Sequence, residues 1–166
     1  MKAKLLISLI LFASCALKPQ PYANQPKTNF NWNDTLFTPG EKHLINVPFG
    51  EHGLIPESED SLKTFVQFMK KHSNIKVEIG VHTDPRGSAK HNLVLSQAKA
   101  QCIADYLIIQ GIDSARLVPL GYGFSKPLPG CSAADIEKMQ TMQEKEIAWQ
   151  KDRRTELVIL GTYYKK

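Results

Sequence analysis

The chain has little of what would mark a nucleic-acid binder, a membrane-spanning protein or an enzyme. Its basic residues never run beyond pairs: Lys70-Lys71, Arg153-Arg154 and Lys165-Lys166. A formal charge of +5 spread over 166 residues makes no basic stripe, so nucleic acid is not an expected partner. No apolar run reaches the roughly 20 residues that a bilayer crossing needs. His43, His52, His72, His82 and His91 lack zinc-ligand spacing. Ser, His and Asp are all present, yet no Gly-x-Ser-x-Gly elbow positions a nucleophile. No Gly-rich loop is available to cradle phosphate. Neither catalytic residues nor a cofactor nor a metal is expected, and no internal repeat or second core is visible.

What is present begins with an address. Lys2 and Lys4 precede an apolar stretch, Leu5 to Ala13, broken only by Ser8. This is the basic and hydrophobic part of a secretory signal. Phe12-Ala13-Ser14-Cys15 resembles a bacterial lipobox, with Phe12 where Leu is more usual. The resemblance implies a signal peptide over 1–14, lipidation of Cys15 and attachment to the outer membrane through a lipid anchor. Two or more acyl chains would hold stably. The plainer alternative is an ordinary signal peptide and a soluble product. From Ala16 to about Thr38 the chain is rich in Pro, Asn, Gln and Lys and has no period. Such a composition cannot bury a core. Residues 15–42 are therefore expected to be the lipidated cysteine and a flexible tether, whose extended part reaches roughly 80 Å. Trp32 and Phe37 are candidates to pack back onto the domain. Cys102 and Cys131 remain, with pairing between them left open.

The folded domain is expected over 43–166. Leu44 to Phe49 reads as a first strand, with Pro48 marking its end or an edge position. Pro56 suits the first turn of a helix, and Glu57, Glu59 and Asp60 suit its positive end. Leu62, Phe65, Val66 and Met69 then fall at i, i+3, i+4 and i+7, one buried face. Val77, Ile79 and Val81 alternate with Lys76, Glu78 and Gly80 as a half-buried strand. A second helix runs from about Ala89 to Ile109, with Leu93, Ala100, Ile103, Ala104 and Leu107 inside, and Gly111 follows its C-cap. Leu117-Val118-Pro119-Leu120 is a short strand, and Ala133 to about Lys151 a third helix. Glu156 to Leu160 reads as a central closing strand. The order β-α-β-α-β-α-β implies a mixed α/β fold, one four-stranded sheet packed by helices, with some parallel pairing.

The informative stretch is Ile79-Gly80-Val81-His82-Thr83-Asp84-Pro85-Arg86-Gly87-Ser88, a strand running through an acidic loop into a helix. That helix carries Asn92, Ser96 and Lys99, which at 100° per residue fall within about 60° of one another. They flank the apolar face, where polar side chains line a groove or tie down a neighbouring loop. A carboxylate and an ammonium beside one groove suit a small zwitterion. The helix N-terminus also favours an anion over the loop from Thr83 to Ser88.

These residues resemble the OmpA-like peptidoglycan-binding domain. His82-Thr83-Asp84, Gly87-Ser88, Asn92, Leu95-Ser96 and Ala100 carry the resemblance. So do Tyr106-Leu107, Gly111-Ile112, Arg116-Leu117, Gly121-Tyr122-Gly123 and Pro127. Asp152-Arg153-Arg154 stands where the family usually has Asn-Arg-Arg. The resemblance covers roughly residues 43 to 162. It implies a non-catalytic domain that grips the peptide stem of the bacterial cell wall. Carried over, Asp84 receives the ammonium of a diaminopimelate side chain and Lys99 stands where the family arginine takes its carboxylate. Thr83, Asn92, Ser96, Arg154 and Phe49 complete the expected ligand set. Asn92 serves equally well as a clamp between loop and helix, whereas for Asp84 the surrounding motif favours ligand contact over a simple acceptor role in its own turn. Of the two arginines, Arg154 is expected to face the groove and Arg153 to pair structurally. Two departures stand out. Lysine offers a point charge where arginine offers a planar fork, and Gly50 follows Phe49 where the family often has Asp. A second reading is an interaction module for other envelope proteins, using the third helix with Met139, Met142 and Trp149.

Overall fold

The computed structural model describes residues 38–50 and 53–163. The expected signal peptide, Cys15, Trp32, Phe37 and most of the tether lie outside the described residues. The elements are β1 (Lys42–Ile45), β2 (Phe49–Gly50), β3 (Gly53–Leu54), α1 (Pro56–Lys71), β4 (Ile75–His82), α2 (Ala89–Ile109), β5 (Leu117–Gly123), α3 (Ala133–Glu137), α4 (Met142–Asp152) and β6 (Thr155–Thr162). Four strands form one mixed sheet in the order β1-β6-β4-β5. β4 and β5 are parallel, joined through α2, while β6 runs antiparallel to both β4 and β1. The closing strand is thus internal, as its continuous apolar run predicts.

Two expectations are corrected. The first strand ends at Ile45, and Phe49–Gly50 instead pairs with Gly53–Leu54 as a separate small hairpin. Pro48 lies between the two and has no N–H to extend a ladder. The single third helix is two: α3 stops at Glu137, and Thr141 starts α4 with a reciprocal cap to Glu144. Thr-x-x-Glu is a capping box, and at 141–144 it divides what composition alone presents as one long polar helix.

One apolar core joins Leu62, Phe65, Phe68 and Met69 of α1 to Val77, Ile79 and Val81 of β4, Leu157 and Ile159 of β6, and Ile103 and Leu107 of α2. A small second cluster of Cys131, Ile136 and Ala148 gathers Leu128, Met139 and Trp149 under α3 and α4. This assigns Met139 and Trp149 to packing, while Met142 is exposed. Cys102 is exposed, Cys131 buried, and both are free thiols.

The inner line of α2 differs from expectation at its first turns. Leu93 is 52% exposed, and Asn92 and Ser96 are buried instead. The reason is the closeness of β5. A Cβ at Gly121 would stand 2.1 Å from the Gln97 nitrogen and 2.6 Å from the Ser96 carbonyl carbon. Only small or polar side chains fit under such an approach. The Ser96 hydroxyl donates to Leu93 O and accepts from Gly123 N at 2.8 Å. At the start of β4, the buried Arg116 donates to Ile75 O, Met69 O and His72 O at 2.8, 2.9 and 2.6 Å. It thereby satisfies carbonyls at the end of α1, which have no partner within the helix.

Candidate functional site

A cleft of about 320 Å³ opens at the C-terminal end of β4. The β1-to-β2 segment supplies Val47, Pro48 and Phe49. The loop after β4 supplies Thr83, Asp84 and Arg86. α2 supplies Asn92, Leu95 and Lys99, and the α4–β6 junction supplies Arg153 and Arg154. Each segment is fixed locally. Ser58 of α1 accepts from Ile55 N and donates to Pro48 O, holding the segment before the hairpin. His82 N donates to Arg154 O, and Thr83 N to Gly123 O, both at 2.9 Å. Ser88 caps α2 by accepting from His91 N.

Asp84 is the hub of the acidic loop. Its Oδ1 accepts from Arg86 N and Arg86 Nε, both at 3.0 Å. Its Oδ2 accepts from Arg86 Nη2 at 2.8 Å and Arg153 Nη1 at 2.7 Å. Burial of this carboxyl opposes ionisation, but the two guanidinium groups outweigh it and hold its pKa below the usual carboxylate range. The Arg86 fork lies 4.3 Å over the Trp149 ring. Glu146 accepts from Arg153 Nη2 at 3.0 Å and lies 3.9 Å from Arg86 Nη1.

Lys99 faces this cluster from α2. Of the four lysine and arginine side chains lining the cleft, it alone makes no ion pair among the described residues. Its ammonium lies 4.9 Å from the centre of the Phe49 ring, a cation–π contact. Partial burial lowers its pKa, the Arg153 charge adds to that effect, and Asp84 opposes it. The structure therefore brings Asp84, Lys99, Thr83, Asn92, Phe49 and both arginines to one cleft.

The expected roles shift in three places. Ser96 is fully buried against β5 and does not line the cleft, so it leaves the ligand set. Asn92 lines the cleft, but its amide nitrogen donates to Arg86 O and Ser88 O at 2.8 and 3.3 Å, making it a clamp on the loop. The arginines exchange tasks. Arg153 reaches Asp84, while Arg154 also lines the cleft but is engaged by Glu156 Oε1 at 2.8 Å, Asp152 Oδ1 at 3.2 Å and Lys126 O. Glu156 lies 3.6 Å from His82 Nε2, an ion-pair distance longer than a hydrogen bond. His82 and Arg154 together hold Glu156 down at about 2 against the opposing effect of burial. Arg86, Glu146 and Trp149 were missed as site residues. Asp-Pro-Arg is a turn in which the aspartate accepts the N–H two residues on. That signal locates Arg86, but nothing local in sequence brings α4 beside it.

The fold and cleft define a small α/β module with a charged groove where strand, loop and helix meet. The chain belongs to the OmpA family, whose pattern matches residues 48–140. It is 34% identical over 109 residues to the "Peptidoglycan-associated lipoprotein" of Buchnera aphidicola subsp. Baizongia pistaciae, covering 64% of this chain and 63% of that protein. It is 26% identical over 118 residues to "Outer membrane protein P5" of Haemophilus influenzae, covering 71% of this chain and 33% of that one. The matched stretch thus spans less than two thirds of either relative. Among solved structures, the peptidoglycan-associated lipoprotein of Burkholderia pseudomallei superposes with a TM-score of 0.55 at 23% identity, covering 70% of this chain and 88% of that one. The OmpA-like domain of FopA1 from Francisella tularensis gives 0.53 at 18%, with 75% of each covered. These two likenesses are in fold.

Proposed function

We propose that the chain is an outer-membrane lipoprotein, anchored through Cys15, whose domain binds the peptidoglycan stem peptide non-catalytically in the periplasm and so ties membrane to wall. The observation that carries this reading is Lys99, a half-buried cation beside Asp84 with no carboxylate partner of its own among the described residues. A carboxylate from a ligand completes that pair at a place where water is already partly excluded, so the charge interaction is worth more than at an open surface. Asp84 lies across the same cleft as the counterpart for an ammonium. A diaminopimelate-type side chain carries both groups on one atom, and the cleft volume suits the end of a peptide stem rather than a folded partner. Thr83 strengthens the reading: it is 7% exposed, lines the cleft, and its hydroxyl has no hydrogen-bond partner among the described residues. The names of the two peptidoglycan-associated relatives agree with this ligand class.

The test is co-sedimentation of the purified chain with sacculi, and competition by free diaminopimelate-containing peptide. Sedimentation that the peptide abolishes supports the reading. Absence of sedimentation overturns it. The alternative is an interaction module for other envelope proteins with weakened wall binding. One observation favours it: Leu93, Val94 and Ile109 of α2 are 52%, 63% and 80% exposed. That reading predicts no competition by stem peptide and a co-purifying protein lost on Val94→Lys.

A further inference from the structure

A carboxylate offers about four acceptor positions, and Asp84 has four hydrogen bonds: three from Arg86 and one from Arg153. The seat expected for a ligand ammonium is therefore full. An incoming amine that left Arg86 in place would meet Arg86, Arg153 and Lys99 together, all cationic. Arg86 is the movable member of this group. Its side chain is 53% exposed, against 36% for Arg153, and its guanidinium bonds reach Asp84 across only two residues, so it returns at high effective concentration. It is also held from behind. Trp149 stacks on its guanidinium at 4.3 Å and Glu146 lies at 3.9 Å from Nη1. Both belong to α4, beyond the last residue of the family match at 140.

We infer that Arg86 is an internal competitor for the cation seat of Asp84, pinned there by Trp149 and Glu146, and that it sets how strongly the cleft takes an amine-bearing ligand. The inference rests on the peptidoglycan reading and deepens it. The ligand's carboxylate meets Lys99, which has no ion pair among the described residues, at no such cost, so it makes the first contact. The amine then engages only by displacing the Arg86 fork. Arg86 is in this sense a specificity-determining residue: it lowers the return on an amine while leaving the return on a carboxylate intact. α4 tunes that balance without itself touching the ligand.

The experiment is calorimetric titration of the whole purified chain with a soluble stem peptide bearing free diaminopimelate. The same peptide acetylated on the diaminopimelate side-chain amine is titrated beside it. Arg86→Gln is expected to bind the free-amine peptide about fivefold tighter than wild type, the scale of one part-exposed fork contact. Acetylation should erase that gain. Glu146→Gln is expected to move affinity the same way by about twofold, because it loosens the pin on Arg86, while Arg153 loses its Glu146 partner and keeps its bond to Asp84. Wild-type binding that Arg86→Gln leaves equal or weaker overturns the inference while the peptidoglycan reading stands. No binding by wild type or by either variant overturns the reading, and the inference with it. If Arg86→Gln does not fold, Glu146→Gln decides alone: tighter binding supports the competitor, and unchanged or weaker binding overturns it.

Discussion

Arg153 Nη1 donates to Asp84 Oδ2 at 2.7 Å across 69 residues of chain. The loop that opens α2 and the junction that ends α4 are thus tied at one carboxylate oxygen. Anything that removes the carboxylate acts on binding and on the cleft's shape together. Asp84→Ala should weaken sacculus binding by about 2 kcal/mol or more, roughly 30-fold, since cations are left facing one another in a part-buried site. Unchanged sedimentation by a folded Asp84→Ala chain would remove Asp84 from the site.

Lys99 and arginine share a charge but differ in reach and shape. Lys99→Arg should bind sacculi as well as wild type or better, because a fork pairs bidentately with a carboxylate. Lys99→Met keeps the stem over Phe49 and deletes the charge, and should cost at least about tenfold. Equal binding by Lys99→Met would show that no carboxylate is received there.

Glu156 gives the fold a pH dependence of definite sign. Its carboxyl is held at about 2, below the ordinary 4.5, chiefly by His82 and Arg154, with Lys42 at 3.6 Å. A depressed folded-state pKa stabilises above the unfolded value, and that contribution is lost as pH falls from about 4.5 toward 2. Since the His82 contact, at 3.6 Å, is longer than a hydrogen bond, the stabilisation is at most on the order of 3 kcal/mol. Thermal melts from pH 6 to pH 2.5 should fall steeply for wild type and less steeply for Glu156→Gln. Parallel curves for the two proteins would refute the assignment.

Gly121 and Arg116 make two predictions about stability away from ligand. Gly121→Ala places a methyl 2.1 Å from the α2 backbone and should cost more than about 2 kcal/mol by denaturant unfolding. Arg116→Met leaves three carbonyls of α1 and β4 without their donor and should cost about 2–4 kcal/mol. Sacculus binding per folded molecule should survive Arg116→Met, which lies at the opposite end of β4 from the cleft, more completely than Gly121→Ala, which moves the helix carrying Lys99.

Much of this was legible because period and spacing report local geometry. The face of α1, the alternation of β4, the internal placement of β6 and the meeting of Asp84 with Lys99 all follow from residues close in sequence. What was not legible depended on approach between distant segments. Leu93 has the chemistry of a core residue, yet Gly121 brings β5 so near that Asn92 and Ser96 take the inside. Ser96 shares a helix line with Lys99, which suggests a ligand contact, but the same closeness of β5 makes it a backbone clamp. The two arginines, adjacent in sequence, were distinguishable only once Asp152 and Glu156 were seen to occupy one and Asp84 and Glu146 the other.

The position of β6 has a kinetic meaning. It lies between the first strand and β4, so β1 has no neighbour in the main sheet until residues 155–162 arrive. Contacts of this sequence separation are slow to form. A chain emerging from the ribosome can build α1, β4, α2 and β5 as a local unit. The cleft does not close around Asp84 until the last strand inserts. A stop at residue 154 should therefore yield not a shortened binder but a protease-sensitive intermediate.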